Sequence, residues 1–392
     1  MRRLAGTFFV VLFSFGVAQD TLNIGIITSF TGRFAEFGAQ HRAGFEVALA
    51  EINANGGVQG RQVELVIEDD TSSQQTALAA AEKLLSRDVP IIMGAYSSSI
   101  TNPLAQYFTR QEFPFLVFTS SADSITSPGS DWVFRINQPA ATYAEILFDV
   151  FGILEATESL ESIAVVHGNG TFENAVAAAA ESLSEARGYE LVEIQSYDQG
   201  LTDFRPILNR FKAKSPDIVF MVSYSADAVA IMRQVKETGL SAKVFVGAAA
   251  GFALPEFLEG AQEVAEYVIT ATAWTKDVNF EGAGELYAAL MEARGKEPTY
   301  HAAQAYAGLL TVADALNRAE SLDPETIQRA LAETDLRTSY GPIRFTDFNG
   351  YRNQNPVKMV AEQVQDGAFV TVFTQEGVVN PILCPVPAWE SR

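Results

Sequence analysis

Short apolar runs alternate with amphipathic segments along most of this chain, and the alternation predicts parallel strands covered by helices. The clearest case starts with a buried-strand pattern at residues 21–28 (T-L-N-I-G-I-I-T), followed by a helical pattern at residues 36–54. Asn55-Gly56-Gly57 then ends the helix, as glycine commonly does at a helix C-terminus. We therefore expect an α/β fold with doubly wound parallel sheets.

The strand and helix pattern occurs in two units of similar size, which predicts two lobes. The predicted strands are 21–28, 62–68, 90–93, 115–118, 132–136, 162–166, 190–195, 217–222, 243–246, 340–345, 357–363 and 368–373. The predicted helices are 36–54, 73–86, 101–110, 139–156, 172–187, 204–212, 227–238, 280–294 and 299–319. A proline-rich tail, Pro381 to Pro387, is expected to run across the surface.

Hydroxyl residues follow two successive predicted strands. The sequence Y-S-S-S (residues 96–99) follows the first, and T-S-S (residues 119–121) follows the second. Ligands of parallel sheets lie beyond the carboxyl ends of the strands, and a helix starting after Ser98 would direct free N–H groups there. The pattern thus predicts a site for a small anion, most simply a carboxylate held by neutral donors. The alternative is that these hydroxyls only cap helices.

Aromatic residues also follow predicted strand ends, where they would face a cleft between two lobes. They are Phe37, Tyr96, Phe172, Tyr224 and Phe252. Rings with a few convergent polar groups form the usual wall of a small-molecule site. Any one ring is more simply explained as core packing, whereas the set of five favours a pocket.

Composition narrows the class of protein. The 392 residues are 48% hydrophobic and 19% charged, which is typical of a globular protein of about two or three domains. The net charge of −21 argues against nucleic acid and anionic membranes as partners. The one cysteine, Cys384, allows neither an internal disulfide nor a cysteine metal cluster.

The N-terminus has the pattern of a secretory signal peptide, residues 1–18. Arg2 and Arg3 precede an apolar run at residues 4–17, and small residues precede a cleavage point after Ala18. A membrane anchor is the minor alternative, because the run is short for a bilayer. We expect a protein exported to the periplasm or another extracytoplasmic space.

Catalysis is poorly supported by the sequence. His41, His167 and His301 lie in separate segments, and no serine has the spacing of a nucleophile elbow. No glycine loop has phosphate-binding spacing, and the pair Asp69-Asp70 is better read as a solvated loop or helix cap than as a metal site. We therefore expect no enzyme activity, no cofactor and no metal, and keep a secreted α/β hydrolase as a rival.

Several motifs resemble the periplasmic leucine/isoleucine/valine-binding proteins, type I solute receptors of ATP-driven (ABC) importers. They are A-E-I-N-A-N-G-G-V-Q-G-R-Q-V-E-L-V-I-E-D-D (residues 50–70), I-M-G-A-Y-S-S-S, T-S-S-A-D, the helix at 299–319 and Y-G-P-I-R-F-T-D-F-N-G (residues 340–350). The resemblance extends from Thr21 to about Phe373. It implies two lobes, 20–138 plus 274–344 and 139–273 plus 345–392, joined by a three-strand hinge and closing on an amino acid. It also implies permease subunits as partners.

The resemblance further implies ligand-binding roles for individual residues. The ligand carboxylate would meet Ser98 and the segment 121–123, Tyr224 would approach the ammonium group, and rings would surround the ligand side chain. The full candidate set is Phe37, Tyr96, Ser97, Ser98, Ser99, Ser121, Ala122, Asp123, Phe172, Tyr224 and Ala249.

Two departures from the family pattern concern charge. The acid that pairs the ligand ammonium falls at Ala249, and a first-lobe hydroxyl falls at Asp123. One hypothesis is that Asp123 supplies the missing counter-charge; the alternative is that it caps a turn. In the second case the ligand needs no ammonium group and could be an aliphatic amide, a urea-type compound or an aromatic carboxylate. A ligand-sensing regulator on the same scaffold is a further alternative.

Overall fold

The computed structural model describes residues 21–127, 129–248 and 250–391, so the predicted signal peptide and Ala249 lie outside the described residues. The strands are β1 Leu22–Thr28, β2 Val63–Asp69, β3 Ile92–Gly94, β4 Phe115–Val117, β5 Val133–Arg135, β6 Ser162–Gly168, β7 Glu190–Tyr197, β8 Ile218–Val222, β9 Val244–Gly247, β10 Ile269–Thr272, β11 Asp335–Thr338, β12 Gly341–Arg344, β13 Thr346–Phe348, β14 Tyr351–Gln354, β15 Val360–Gln365, β16 Ala368–Thr374 and β17 Gly377–Val378. The helices are α1 Ala35–Ala54, α2 Gln74–Leu85, α3 Ser98–Gln111, α4 Ala141–Leu154, α5 Thr171–Arg187, α6 Arg205–Lys214, α7 Ser225–Thr238, α8 Pro255–Ala261, α9 Ala283–Arg294, α10 Tyr300–Arg318 and α11 Pro324–Ala332.

Two sheets organise the molecule, and each defines a lobe. The first sheet has the order β13-β14-β5-β4-β3-β1-β2, and the second has the order β17-β16-β15-β10-β9-β8-β6-β7. Their central strands are parallel, and antiparallel strands are added at one edge of each. A short ladder joins β11 to β12. The predicted α/β class with two parallel-sheet lobes is confirmed.

The chain passes between the two sheets three times within the described residues. The passages lie between β5 and α4, after β10, and between β14 and β15. The predicted second lobe included residues from 345 onward, but β13 and β14 pair with the first sheet, β14 running parallel to β5. Residues 346–354 therefore belong to the first sheet, and the third passage comes after them.

Apolar side chains on the strand faces and the facing helix stripes form the core. The three residues of β4 are fully buried, which explains why this short apolar run could be predicted as a strand. Strand β10 was not predicted, because only two of its four residues, Ile269 and Ala271, are apolar, although all four are buried.

Helix α10 packs closely on α1 and carries two residues to the lobe interface. A Cβ atom on Gly44 would collide with the carbonyl oxygen of Ala302, so the two helices approach at a distance that only glycine allows. This packing fixes the first turn of α10, where Tyr300 and His301 are both 2% exposed.

The C-terminal tail lies across the second lobe, as expected of a surface strap. The backbone N–H of Val386 donates to the carbonyl of Lys243 at 2.9 Å, and the Trp389 indole donates to the carbonyl of Leu240 at 2.8 Å. Among the residues that the structure describes, no helix has the length and apolar content needed to cross a bilayer.

Candidate functional site

A small cavity lies between the two lobes, at the carboxyl ends of both sheets. The first lobe contributes hydroxyl groups and the start of α10, and the second lobe contributes rings. The lining residues are Tyr96, Ser98, Thr119, Ser120, Ser121, Tyr143, Phe172, Tyr224, Tyr300 and His301. Residues predicted at the strand ends of both lobes therefore meet around one interlobe cavity.

The N-terminus of α3 forms the first-lobe wall of this cavity. Ser97 precedes the helix in an extended conformation, and no side chain caps the helix start. The hydroxyl oxygen of Ser98 accepts a hydrogen bond from the Ala122 N–H at 3.1 Å. Because the oxygen is the acceptor there, its proton is free to be donated. The helix start and this hydroxyl together suit an anion.

The loop after β4 is held by buried hydrogen bonds. The Asn137 amide donates to the Ser121 hydroxyl oxygen at 2.6 Å, and Gln304 of α10 donates to the Asn137 side-chain oxygen. The Ser120 hydroxyl donates to the Ala95 carbonyl at 2.9 Å. These bonds make the hydroxyl wall preformed, since each of these groups has a partner inside the protein.

Stacked and tilted rings fill most of the space between the lobes. Phe37 stacks on Tyr96 with ring centroids 4.0 Å apart, and the Tyr224 ring lies 6.3 Å from the Tyr96 ring. On the other side Tyr143 meets Phe172 edge-on at 5.2 Å. The remaining cavity is about 20 Å³, which is room for one or two water molecules. A larger ligand therefore requires these rings to move or the lobes to separate.

Direct contacts join the lobes at the mouth of the cleft. The Ser225 hydroxyl donates to Glu36 Oε1 at 2.6 Å, and Arg33 donates to Gln199. The Arg33 guanidinium lies 5.4 Å from the centroid of the Tyr224 ring. These contacts close the lobes over the cavity, with Tyr224 between the cavity and an outer groove of about 580 Å³.

The predicted site residues take different positions. Tyr96, Ser98, Ser121, Phe172 and Tyr224 line the cavity. Phe37 packs behind Tyr96. Ser97 is buried and Ser99 is exposed, their hydroxyl oxygens 2.9 Å apart. Ala122 is buried beside Ser98, and Ala249 lies outside the described residues. Phe252, expected at the cleft, packs on Phe257 in the second-lobe core.

Asp123 lies beside the cavity wall and does not line the cavity. Its carboxylate accepts a hydrogen bond from the Tyr351 hydroxyl at 2.9 Å. The fully buried Arg135 donates to the Ala122 carbonyl at 2.7 Å and to Gln354 at 2.5 Å, and burial lowers the pKa of Arg135 to about 10, while Asp123 opposes that shift. Asp123 is thus a partner of groups within the first lobe.

Thr119 and Ser120 line the cavity and belong to the predicted hydroxyl run, but not to the candidate set. Three further lining residues were not predicted from the sequence at all: Tyr143, Tyr300 and His301. Tyr143 lies in the first turn of α4, directly after the first passage between the lobes, and Tyr300 and His301 lie in the first turn of α10, which follows α9. Burial lowers the pKa of His301 well below its usual value, with His41 adding to the effect, so the ring is neutral. The prolines before these helices, Pro139 and Pro298, were the available sequence signal.

The described residues contain no group of three or more His, Cys, Asp or Glu side chains arranged to hold a metal ion. The cavity instead offers hydroxyl donors, a helix N-terminus and apolar rings. This set suits a small organic molecule with a carboxylate and an apolar part.

Comparison with known proteins gives a consistent result. A family described as "Periplasmic binding protein" matches residues 21–368. The Leu/Ile/Val-binding protein homolog 7 of Brucella melitensis is 28% identical over 381 residues, covering 94% of this chain and 95% of that protein.

Solved structures show the same fold. The substrate-binding protein LivJ of a branched-chain amino acid transporter from Streptococcus pneumoniae, solved with isoleucine, is 23% identical with a TM-score of 0.79, covering 92% of this chain and 100% of that chain. A solute-binding protein of an ABC transporter from Rhodopseudomonas palustris, solved with 3,4-dihydroxybenzoic acid, is 20% identical with a TM-score of 0.77, covering 95% of this chain and 99% of that chain.

Proposed function

This chain belongs to the periplasmic binding protein family, which includes the leucine/isoleucine/valine-binding proteins. We propose that it is the extracytoplasmic receptor of an ABC importer and that its ligand is a small apolar amino acid. The family consists of solute-binding receptors and not of enzymes. The permease subunits of the importer are the proposed partners, and the periplasm or an equivalent exported location is the proposed site of action.

One observation carries the proposal: the uncapped N-terminus of α3 and the free hydroxyl proton of Ser98 lie beside apolar rings in one interlobe cavity. Ser98, the α3 N–H groups and the segment 121–122 would hold the ligand carboxylate. Tyr96, Phe172 and Tyr224, with Phe37 behind them, would surround the aliphatic side chain.

Binding would proceed by hinge opening and closure. In the closed arrangement the cavity is about 20 Å³, so the ligand must enter an open form and displace rings as the lobes close. Burial of apolar ring surface against the ligand side chain would supply much of the affinity.

A second candidate ligand is an aromatic carboxylate. It is favoured by the lining itself, because none of the described side chains that line the cavity carries a charge and five of them bear six-membered rings. Such a ligand needs the same hydroxyl wall and no ammonium partner.

Isothermal titration calorimetry with leucine, isoleucine, valine and benzoate tests the two candidates. The proposal expects at least one of the three amino acids to bind at micromolar concentration or below. Benzoate binding without amino acid binding would favour the second candidate. Binding of none of the four would contradict both.

A further inference from the structure

An amino acid brings a positive charge into a cavity whose described walls are neutral. The lining consists of hydroxyl residues, tyrosines, one phenylalanine and the neutral His301. An ammonium group removed from water is costly unless an anion lies close to it. Some carboxylate near the cavity must therefore serve an amino acid ligand, if the proposed function holds.

Three of the nearby carboxylates already have partners from other segments. Asp123 accepts from the Tyr351 hydroxyl at 2.9 Å, and Glu36 accepts from the Ser225 hydroxyl at 2.6 Å. Asp227 accepts from the Tyr197 hydroxyl at 3.2 Å. All three are half-buried, so an ammonium group beside them remains partly solvated and gains less from the pairing.

Glu173 differs from these three carboxylates. It follows the cavity residue Phe172 in the first turn of α5, and it is only 3% exposed. Its carboxylate folds back over the β6–α5 loop, where a Cβ atom on Gly168 would lie 3.0 Å from Oε1. The one hydrogen bond that it accepts comes from its own backbone N–H, and it has no ion pair with any residue that the structure describes.

The surroundings of Glu173 connect it to the cavity. Its charge acts on Tyr224, which lines the cavity, and on Tyr197 behind it. Arg33, from the first lobe, and Asp227, from α7, are the other charged groups that face it. The carboxylate therefore lies outside the cavity lining, next to the lining residue Phe172, where its charge acts on Tyr224 and it has no ion pair with a described residue.

We propose that Glu173 holds the positive charge of the ligand, so that the site selects molecules bearing both a carboxylate and an ammonium group over plain carboxylates. This inference rests on the proposed function and assigns a residue to its ligand specificity. The first lobe would hold the anionic end and Glu173, on the second lobe, the cationic end, so that one ligand ties the two lobes together.

The protonation of Glu173 supports this assignment. Burial raises its pKa to about 7, Asp227 acts in the same direction, and Arg33 opposes the shift. A ligand ammonium group would replace the proton and favour the ionised carboxylate. Amino acid affinity should therefore fall as the pH decreases below about 7 and level off above it, whereas a deamino analogue should show no such fall.

The test compares an amino acid with the same molecule lacking its amino group. The amino acid bound most tightly in the titrations above is used; for leucine the analogue is 4-methylpentanoate. In the full mature protein, Glu173→Gln should weaken amino acid binding roughly 30-fold or more and change binding of the analogue about threefold or less. The matched control is Glu181→Gln, an exposed acid on the same helix, which should leave both affinities unchanged.

The outcomes distinguish a failure of the role of Glu173 from a failure of the proposed function. If the wild type and Glu173→Gln bind the amino acid equally well, the role of Glu173 is overturned and the proposed function stands. The same holds if the wild type binds the amino acid and its analogue equally well. A wild type that binds neither contradicts the proposed function itself. If Glu173→Gln gives no cooperative thermal transition, the wild-type pH profile decides: amino acid affinity constant between pH 5.5 and 8 overturns the inference.

Discussion

The hydroxyl groups of the first-lobe wall are held in place by hydrogen bonds inside the protein, whereas Glu173, on the second-lobe side, is a buried carboxylate with no ion pair to a described residue. Ser121 is held by Asn137, and Ser98 by the Ala122 N–H. Glu173, opposite, accepts only from its own backbone. A preformed wall can bind a carboxylate with little rearrangement. A buried carboxylate without an ion pair gains most from a ligand that brings a positive charge. The proposed roles of the lobes therefore differ: the first binds the ligand carboxylate and the second binds the ammonium group.

The largest effect is expected from removing Arg135, the buried cation that supports the first-lobe wall of the cavity. Arg135→Met deletes the bonds to the Ala122 carbonyl and to Gln354, and leaves those acceptors and Asp123 without a cation. The free energy of unfolding should fall by about 3 kcal/mol or more, because breaking a buried charged network strands its partners. Urea unfolding of the purified protein measures this change.

The control for this variant is Arg352→Met. Arg352 pairs with Asp131 at the surface of the same lobe, and its side chain is 46% exposed. Its loss should cost less than about 1 kcal/mol. Equal effects of the two substitutions would show that the first wall does not depend on Arg135.

The second lobe should respond to pH through a different acid, the half-buried Glu362. Glu362 of β15 lines a second cavity beside Trp274 and Tyr300, and burial raises its pKa to about 8, with Glu297 and Asp277 adding to the shift. Between its unfolded value of 4.5 and 8, the folded protein holds a proton that the unfolded chain releases, so stability should fall as the pH rises through this window.

Glu362→Gln should remove this pH dependence. The free energy of unfolding should increase by roughly 2 kcal/mol at pH 8 and change little at pH 5. Urea unfolding at the two pH values, with the exposed Glu292→Gln as control, provides the comparison. A variant whose stability changes equally at both pH values would argue against a raised pKa of Glu362.

Ser98→Ala tests the first wall directly. The substitution removes both the donor proposed for the ligand carboxylate and the acceptor of the Ala122 N–H. Ligand affinity should fall about tenfold, the effect of one good hydrogen bond to a charged group. Calorimetry with Gln106→Ala, an exposed position on the same helix, serves as control, and an unchanged affinity would remove Ser98 from the site.

The smallest effect on ligand affinity is expected from removing the hydrogen bond between Ser225 and Glu36, which joins the two lobes. Ser225→Ala removes the hydrogen bond to Glu36, which is made only when the lobes are closed. Closure should become slightly less favourable, and ligand affinity should fall about threefold. Ser182→Ala, an exposed hydroxyl of the second lobe, is the control. A loss as large as that of Ser98→Ala would mean that Ser225 acts on the ligand itself.

Much of the fold could be predicted because local patterns determine it. Buried strands appear as short apolar runs, and the residues just after parallel strands meet at one sheet edge. This rule brought Tyr96, Ser98, Phe172 and Tyr224 together from three separate segments. The same rule placed Phe252 at the cleft, but its ring packs into the second-lobe core, because a position after a strand does not fix the direction of a side chain.

The remaining features depend on tertiary contacts that no local pattern encodes. Tyr143 reaches the cavity from the start of α4, directly after the first passage between the lobes, and Tyr300 from the start of α10, which is fixed by packing on α1. Strands β13 and β14 are short and partly polar, and they become strands only by pairing at the edge of the first sheet. The lack of an ion pair at Glu173 likewise could not be predicted from the sequence, since it depends on where the cations lie in the folded protein.

A crystal structure of the protein with its amino acid ligand tests the central claim most directly. The account predicts closed lobes, with the ligand carboxylate within hydrogen-bond distance of the Ser98 hydroxyl and the first N–H groups of α3. A ligand bound with its carboxylate on Arg33 in the outer groove, and the hydroxyl wall untouched, would contradict it.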